Sequence, residues 1–510
     1  MRLKKCWSFL LLVSLCLWQA CLHSGVLAQS VSSTAPQTLW PTILRALGEQ
    51  VDAGSTTRIA SQLAGTDEDS AVRPSRRLQA DGLTSASPQG VGDRQALRAI
   101  GSGTGSSSGL WFKGAHTRGA QQEAKLLTQL GASHSREYCL WAYVQPTLTS
   151  IESNLTVEML RAQPSLISDW SSTLDWSPVD QRVGLLVNAS INVVLECGEG
   201  TTNGMPKYQG HAISPSTVGT ELYLAFQYRF CRACAMRYGH GSSAVALWQV
   251  ENELNEAYLA ALGGQRPASP QWKNWTFVTD LLQTMAQSVR DELPNSPITT
   301  NLHSDVPDSV HKLLSLPGYY VDAAKEWNSL IDIMSLDAYP NYFVPHPDLS
   351  AVVGQRVANV KAVIPSSMQV FVMETGFTVM NATAPQQVPD IFNYSEALQA
   401  QYYTDVVASV AANGGVGVFA FLLTAQTGLV VPSGGYTEQD ISAFTMLSQL
   451  VQTDDPLPAI KWVLEPGNIH YCLTRFPKLI EEVGQGWGLL TPDYQPRQAF
   501  YALKQAFAQV

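Results

Sequence analysis

The residues best placed to do chemistry in this chain are glutamates that stop apolar runs abruptly. Ala244-Val-Ala-Leu-Trp-Gln-Val250 ends in Glu251-Asn252-Glu253, and Gln369-Val-Phe-Val-Met373 ends in Glu374-Thr375-Gly376-Phe377. Two further runs end in other polar groups, Ser335-Leu336-Asp337-Ala338-Tyr339 and Asn301-Leu302-His303-Ser304-Asp305. Two carboxyl groups converging on one point suit glycosidic bond cleavage. One attacks the anomeric carbon, and the other, kept protonated, delivers a proton to the leaving oxygen. A separation of about 5 Å permits a covalent glycosyl intermediate and retention of configuration.

Such groups need a scaffold that brings distant runs together. Strands are expected at Leu110–Ala115, Tyr138–Val144, Ile191–Glu196, Ala244–Val250, Ile298–Leu302, Ile331–Leu336, Gln369–Met373 and Gly415–Leu423. Between them lie helical patterns near Ala120–Leu130, Leu166–Leu186, Val218–Tyr238, Gln271–Leu293, Val310–Leu316 with Asp322–Ser329, Leu349–Val363 and Ala397–Asn413. Strands separated by crossovers make a parallel sheet, because each parallel connection needs one. Eight such units predict an α/β fold, a (β/α)8 TIM barrel. An open doubly wound sheet would more often carry a Gly-rich turn after its first strand, and none follows Ala115. In a barrel the site lies where strands end, and strands four and seven can meet across the mouth.

Trp248-Gln-Val-Glu-Asn252-Glu253, followed by Glu374-Thr-Gly-Phe377, resembles the strand-four and strand-seven signature of glycoside hydrolase clan A. Members of that clan are retaining β-glycosidases and endo-glycanases on a β/α barrel. The resemblance spans about 108–510 and includes Gly486-Trp-Gly-Leu-Leu-Thr-Pro-Asp-Tyr-Gln-Pro-Arg-Gln-Ala-Phe-Tyr501, similar to a closing segment and last helix. It implies Glu253 as acid/base, Glu374 as nucleophile, and Asn252 as ligand of the sugar hydroxyl beside the reacting carbon. The chain departs from family five of the clan in three places. Asp337-Ala-Tyr339 stands where His-x-Tyr is usual, Phe419-Ala-Phe-Leu-Leu-Thr-Ala-Gln426 lacks the strand-eight Trp, and Arg136 precedes its apolar run instead of ending it. The Gln-Val-Glu-Asn-Glu run also resembles the β-galactosidases of family thirty-five.

Around the two glutamates, the position of Tyr339 suits a phenol donating to the nucleophile. Asp337 and His303 read as sugar ligands or structural groups. Trp248 is a stacking candidate along with Trp111, Trp141 and Trp327, although each such Trp also suits a core. Glu251 shares a face with Glu253 one layer deeper. It reads as a buried supporting acid, with the acid/base role itself as the alternative.

The 510 residues carry 32 basic and 42 acidic side chains, a net charge of −10, and only 15 % are charged. With 45 % apolar residues, global disorder is excluded. The acidic balance argues against nucleic acid or an anionic membrane as main partner. Arg2, Lys4 and Lys5, the apolar run Trp7–Leu22 and Val26-Leu27-Ala28 predict a signal peptide over 1–28. That run is shorter than the ~20 residues a span needs, so secretion without stable membrane insertion is expected, an uncleaved anchor being the alternative. Residues 29–107, rich in Ser, Thr, Gly and Ala, read as a low-complexity flexible extension, and 108–510 as the catalytic domain.

Sequons at Asn154, Asn188, Asn274, Asn381 and Asn393 agree with a secreted glycoprotein. Past the signal remain Cys139, Cys197, Cys231, Cys234 and Cys472; Cys231-Arg-Ala-Cys234 lies inside a helical pattern and reads as structural or disulfide cysteine. No residue cluster has metal-ligand spacing, so no metal and no cofactor are expected. The expected function is retaining hydrolysis of a neutral β-linked poly- or oligosaccharide, mannan or glucan first. The alternatives are a catalytically silent carbohydrate-binding wall or matrix protein on the same barrel, or an exo-acting β-galactosidase.

Overall fold

The computed structural model describes residues 111–240, 245–262, 264–306, 308, 311–312, 315–340, 347–379, 394–425, 436–452, 462, 465, 467–468, 471, 475–476 and 486–510. The expected signal segment and extension, the sequons at Asn381 and Asn393, and Cys472 lie outside the described residues. Eight strands pair in parallel into a closed barrel: β1 (Phe112–His116), β2 (His134–Cys139), β3 (Asn192–Cys197), β4 (Val245–Val250), β5 (Ile298–His303), β6 (Ile333–Asp337), β7 (Gln369–Thr375) and β8 (Gly417–Ala420). β8 closes the ring on β1, with Phe112 opposite Gly417. A principal helix follows each strand: α1 (Gln121–Leu130), α2 (Ser177–Asn188), α3 (Thr220–Tyr238), α4 (Trp275–Glu292), α5 (Tyr320–Trp327), α6 (Ser350–Lys361), α7 (Glu396–Ala412) and α8 (Gln498–Gln509). The expected (β/α)8 barrel is the observed one. Among the described residues no helix is long and apolar enough to cross a membrane.

Local signals start and stop these helices. Ser395 caps α7 by accepting from the Leu398 amide at 3.3 Å, and Asn274 caps α4 by accepting from Phe277 at 3.4 Å. Gly131, at φ 80°, ends α1 in the left-handed conformation. Inside the barrel, alternation aims every second side chain at the axis. Phe112, Val194, Leu247, Ile333, Phe371, Met373 and Phe419 fill that space below the mouth. Gly114 makes room for one of them, since a Cβ there would come within 2.6 Å of the Phe419 ring.

The structure corrects three expectations. The second strand is His134–Cys139, not Tyr138–Val144, and Trp141–Val144 is a short helix. The helical pattern at Leu166–Leu186 is two helices, Ser165–Ser171 and α2, because Pro178 suits a first turn and breaks an interior. A further helix, Glu438–Gln452, lies between β8 and α8, where the sequence suggested no element.

One irregularity positions the site. β7 runs in register with β6 from Gln369 opposite Ile333 to Val372 opposite Leu336; then Glu374, not Met373, faces Asp337. The same one-residue slip occurs against β8. This bulge interrupts the alternation. Met373 packs in the interior, Glu374 also turns inward, and Thr375 turns out to meet the Tyr402 hydroxyl of α7 at 2.5 Å.

Candidate active site

The mouth is organised around Arg136, fully buried on β2. Its Nη1 donates to Glu374 at the end of β7 and its Nη2 to Glu196 on β3. Nη2 also donates to Oδ1 of Asn252 at 2.9 Å, and Nη1 to the Tyr138 hydroxyl at 3.1 Å. The guanidinium lies 4.6 Å from the Tyr138 ring centroid. One planar fork thus ties strands two, three, four and seven, which only arginine can do from a single side chain.

The segment after β4 carries the other acid. Glu251 and Glu253 have φ of 60° and 46°, left-handed values that cost a non-glycine residue about 1–3 kcal/mol each. Neighbours hold this conformation in place. Arg266 donates to Glu251 at 2.7 Å and to the Asn252 carbonyl at 2.6 Å, and the Gly200 amide donates to Glu251 at 2.9 Å. A Cβ at Gly200 would lie 2.6 Å from Arg266 and 2.8 Å from Glu251, so this approach requires glycine. Both Glu251 oxygens are therefore occupied in holding the loop. Glu253 is half-buried; its amide donates to Oδ1 of Asn301 at 3.2 Å, and its carboxylate has no hydrogen-bond partner among the described residues. Asn301, on β5, also donates to Asn252 at 2.6 Å and to Asp337.

On the far side of Glu374, the Tyr339 hydroxyl donates to its second oxygen. The Tyr339 backbone amide is fixed by Asp305 at 2.8 Å, and Asp305 in turn pairs with buried Arg356. Trp487 stacks on the Tyr339 ring at 4.7 Å and 12°, and Phe421 meets both rings edge-on. Trp487 arrives from the segment that pairs beyond β8, where Leu489 and Leu490 donate to Leu422 and Leu423. Arg497 bridges the Gly486 and Gly488 carbonyls on either side of it, at 2.7 and 2.8 Å.

Burial and mutual repulsion set the charges. Burial pushes the Glu374 carboxyl up, Arg136 pulls it down, Glu253 pushes it up again, and the net position is above an ordinary glutamate. Burial, then Glu374 and Glu253, holds Asp337 well above the carboxylate range. Burial likewise raises Glu196, although Arg136 opposes it. The single guanidinium faces three acids, so protons are retained on some of them. Burial works against a charged His303, but Glu253, Asp305 and Glu256 outweigh it and hold the imidazole above its usual value. At the end of β3, burial raises half-buried Glu199 to about 7, with Arg266 opposing.

Of the residues singled out in the sequence, the structure brings Asn252, Tyr339, Asp337 and Glu374 into one network, with Glu253 and His303 at its edge. It does not bring Trp248, which is buried on the face of β4 opposite Leu247 and Gln249, toward the helices. Trp141 packs on Trp170, Phe226 and Phe230, and Trp327 stacks on Trp275, so both are core. Arg136 corrects the reading that it stands before its strand: it lies in the middle of β2 and reaches the site. Arg136, Glu196, Asn301 and Trp487 belong to the site and went unassigned. The signal for Arg136 was alternation, since His134, Arg136 and Tyr138 share one face of an otherwise unreadable strand.

Among the described residues no group of three or more His, Cys, Asp or Glu is placed to hold a metal ion. No family model matches the chain, and no curated protein does. Similar solved structures include a GH5_18 protein of Streptomyces cattleya in complex with GlcNAc, at 13 % identity and TM-score 0.49, covering 79 % of this chain and 81 % of that one. A GH5_18 protein of Bifidobacterium longum subsp. longum has 12 % identity and TM-score 0.49, covering 78 % of this chain and 79 % of that one. An exo-β-1,4-mannosidase of Opitutaceae bacterium strain TAV5 has 11 % identity and TM-score 0.43, covering 79 % and 62 %. At such identities the chain's fold stands on its own strand pairing, and its chemistry on its own side chains.

Proposed function

We propose that the protein is a retaining glycoside hydrolase acting on a neutral β-linked poly- or oligosaccharide, of the mannan or glucan class. One observation carries this reading: Glu374 is turned into the barrel mouth by the bulge in β7 and held by Arg136 and Tyr339. It shares that network with Asn252, and Glu253 follows in the chain. Donors aimed at a carboxylate favour its ionised, nucleophilic form. Glu374 would attack the anomeric carbon as Glu253 gives its proton to the departing oxygen. Water would then attack the glycosyl-enzyme while Glu253 takes its proton, releasing the sugar and restoring both groups. Asn252, fixed by Arg136 and Asn301, would hold the hydroxyl beside the reacting carbon.

A mechanism-based 2-fluoro glycoside tests this. Labelling at Glu374 is the expected result. Absence of labelling across manno-, gluco- and galacto-configured probes would favour the silent carbohydrate-binding reading. Turnover of mannan, glucan, galactan and aryl glycosides by residues 108–510 would then assign the substrate and separate exo-acting β-galactosidase action from the rest.

The same reading takes the chain as exported and cleaved after Ala28. Asn154, Asn188 and Asn274 are all exposed, as glycan acceptors must be, which supports it. N-terminal sequencing of protein from a secreting host, and a mass shift on deglycosylation, would check both points.

A further inference from the structure

Four cysteines meet in one buried place behind the mouth. Cys139 ends β2, Cys197 ends β3 directly opposite it in the ladder, and Cys231 and Cys234 face them from α3. All four are fully buried, and none is cross-linked. Their sulfurs are not equivalent. The Cys231 thiol donates to the Cys197 carbonyl at 2.8 Å, and the Cys197 thiol lies 3.5 Å from the Gln249 carbonyl. Only Cys139 and Cys234 point at each other, with sulfurs 3.0 Å apart.

We propose that Cys139 and Cys234 form a disulfide when the chain folds under oxidising conditions, stapling the strand that carries Arg136 to α3. The C-x-x-C spacing in the sequence suggests the other pairing, Cys231 with Cys234. The helix disfavours it, because residues three apart in a helix interior have Cβ atoms about 5–6 Å apart, and a disulfide needs about 3.5–4.5 Å. Closing the proposed bond requires only a small approach of two side chains that already touch. With oxidised glutathione as oxidant, the Cys139 thiolate attacks one glutathione sulfur and releases the other glutathione as thiolate. The Cys234 thiolate then attacks the Cys139 sulfur of the mixed disulfide and releases the second glutathione. The two protons lost by the protein end on the two departing thiolates, and the glutathione disulfide is reduced as the protein is oxidised. Burial pushes the Cys231 and Cys234 thiols up, so they are poor nucleophiles once folded, and the bond closes during folding.

The bond encloses residues 139–234, most of the chain from the end of β2 through α3. It adds no group to the mouth, so its effect is on stability and not on the reaction.

The test is refolding of the full chain in a glutathione buffer, followed by alkylation in denaturant without reductant and peptide mapping. The expected result is a cross-linked pair of peptides carrying Cys139 and Cys234, with Cys197 and Cys231 alkylated. The cross-link should survive in Cys231→Ala and vanish in Cys234→Ala. Reducing the wild type should lower its thermal midpoint by roughly 5 °C or more. Alkylation of all four cysteines, or a bond from Cys139 or Cys234 to any other cysteine, including Cys472, would overturn the proposal. The wild-type map decides even if a variant fails to fold, and it is independent of whether the cell exports the chain or of any activity.

Discussion

The same eight strands build two unlike layers inside the barrel. Below the mouth, Phe112, Val194, Leu247, Ile333, Phe371, Met373 and Phe419 pack together, and the His134 ring among them, against Phe112 and Phe419, is pushed by burial down to about 4 and so stays neutral. Towards the mouth, Arg136, Glu196, Asn301, Asp337 and Glu374 occupy the same kind of inward position, all of them buried. There Nε of Arg136, Oε1 of Glu196 and Oδ1 of Asp337 have no hydrogen-bond partner among the described residues. Each buried polar atom left unpartnered costs about 1–3 kcal/mol, which the apolar layer does not incur. The lower layer stabilises the barrel; the upper one uses part of that stability to hold carboxyl groups out of water at perturbed acidity.

Substitutions can break that contrast, beginning with the largest effect. Glu374→Gln should abolish turnover and leave the thermal midpoint close to wild type, since the amide can still accept from Tyr339. Retained turnover would refute the nucleophile assignment. Arg136→Met and Phe371→Ala should each lose about 3–5 kcal/mol in denaturant unfolding, one by stranding buried acids and the other by opening a cavity. They should differ in pH profile. In the proposed mechanism Glu374 attacks as the carboxylate, and removing the neighbouring cation raises its pKa, so Arg136→Met should move the acid limb of kcat/KM to higher pH. Phe371→Ala should leave that limb in place; equal shifts in the two variants would dissolve the distinction between layers.

Smaller effects sharpen it. Tyr339→Phe removes one donor to a charged group and should lower kcat roughly 10- to 100-fold with little change in stability. A KM change without a kcat change would show Tyr339 to be only part of the binding wall. On the outer face of β2, burial raises Glu137 to about 7, opposed by the hydrogen bond from Thr117. Between its unfolded pKa of about 4.3 and that value the folded protein holds the extra proton, so stability falls as pH rises. Glu137→Gln should therefore gain thermal midpoint over wild type at pH 8 more than at pH 5. An equal difference at both would show that Glu137 titrates normally.

Strands four and seven were legible because their apolar runs stop at glutamate, and a barrel places strand ends at the site. β2 was not. It is a central strand whose inward positions are His134, Arg136 and Tyr138, so hydrophobicity pointed instead to the helix at Trp141–Val144. Trp248 failed for the opposite reason. An aromatic beside catalytic-looking residues suggested sugar stacking, yet alternation sends it outward under the helices. Trp487 was visible in the sequence only as part of a closing segment; its place against Tyr339 depends on pairing beyond β8.

The sequence by itself determined the barrel, its strand count, and the identity of the acids at the ends of strands four and seven. Periodicity and abrupt polar stops are local, and they survive without knowing any contact. Only the tertiary structure decided which of those acids turn inward and what charge surrounds them. A one-residue slip in β7 has no signature in the sequence, yet it turns Glu374 from the helices to the mouth. Likewise the grip of Arg136 on Glu374 joins residues 238 positions apart, and only closure of the ring sets their separation.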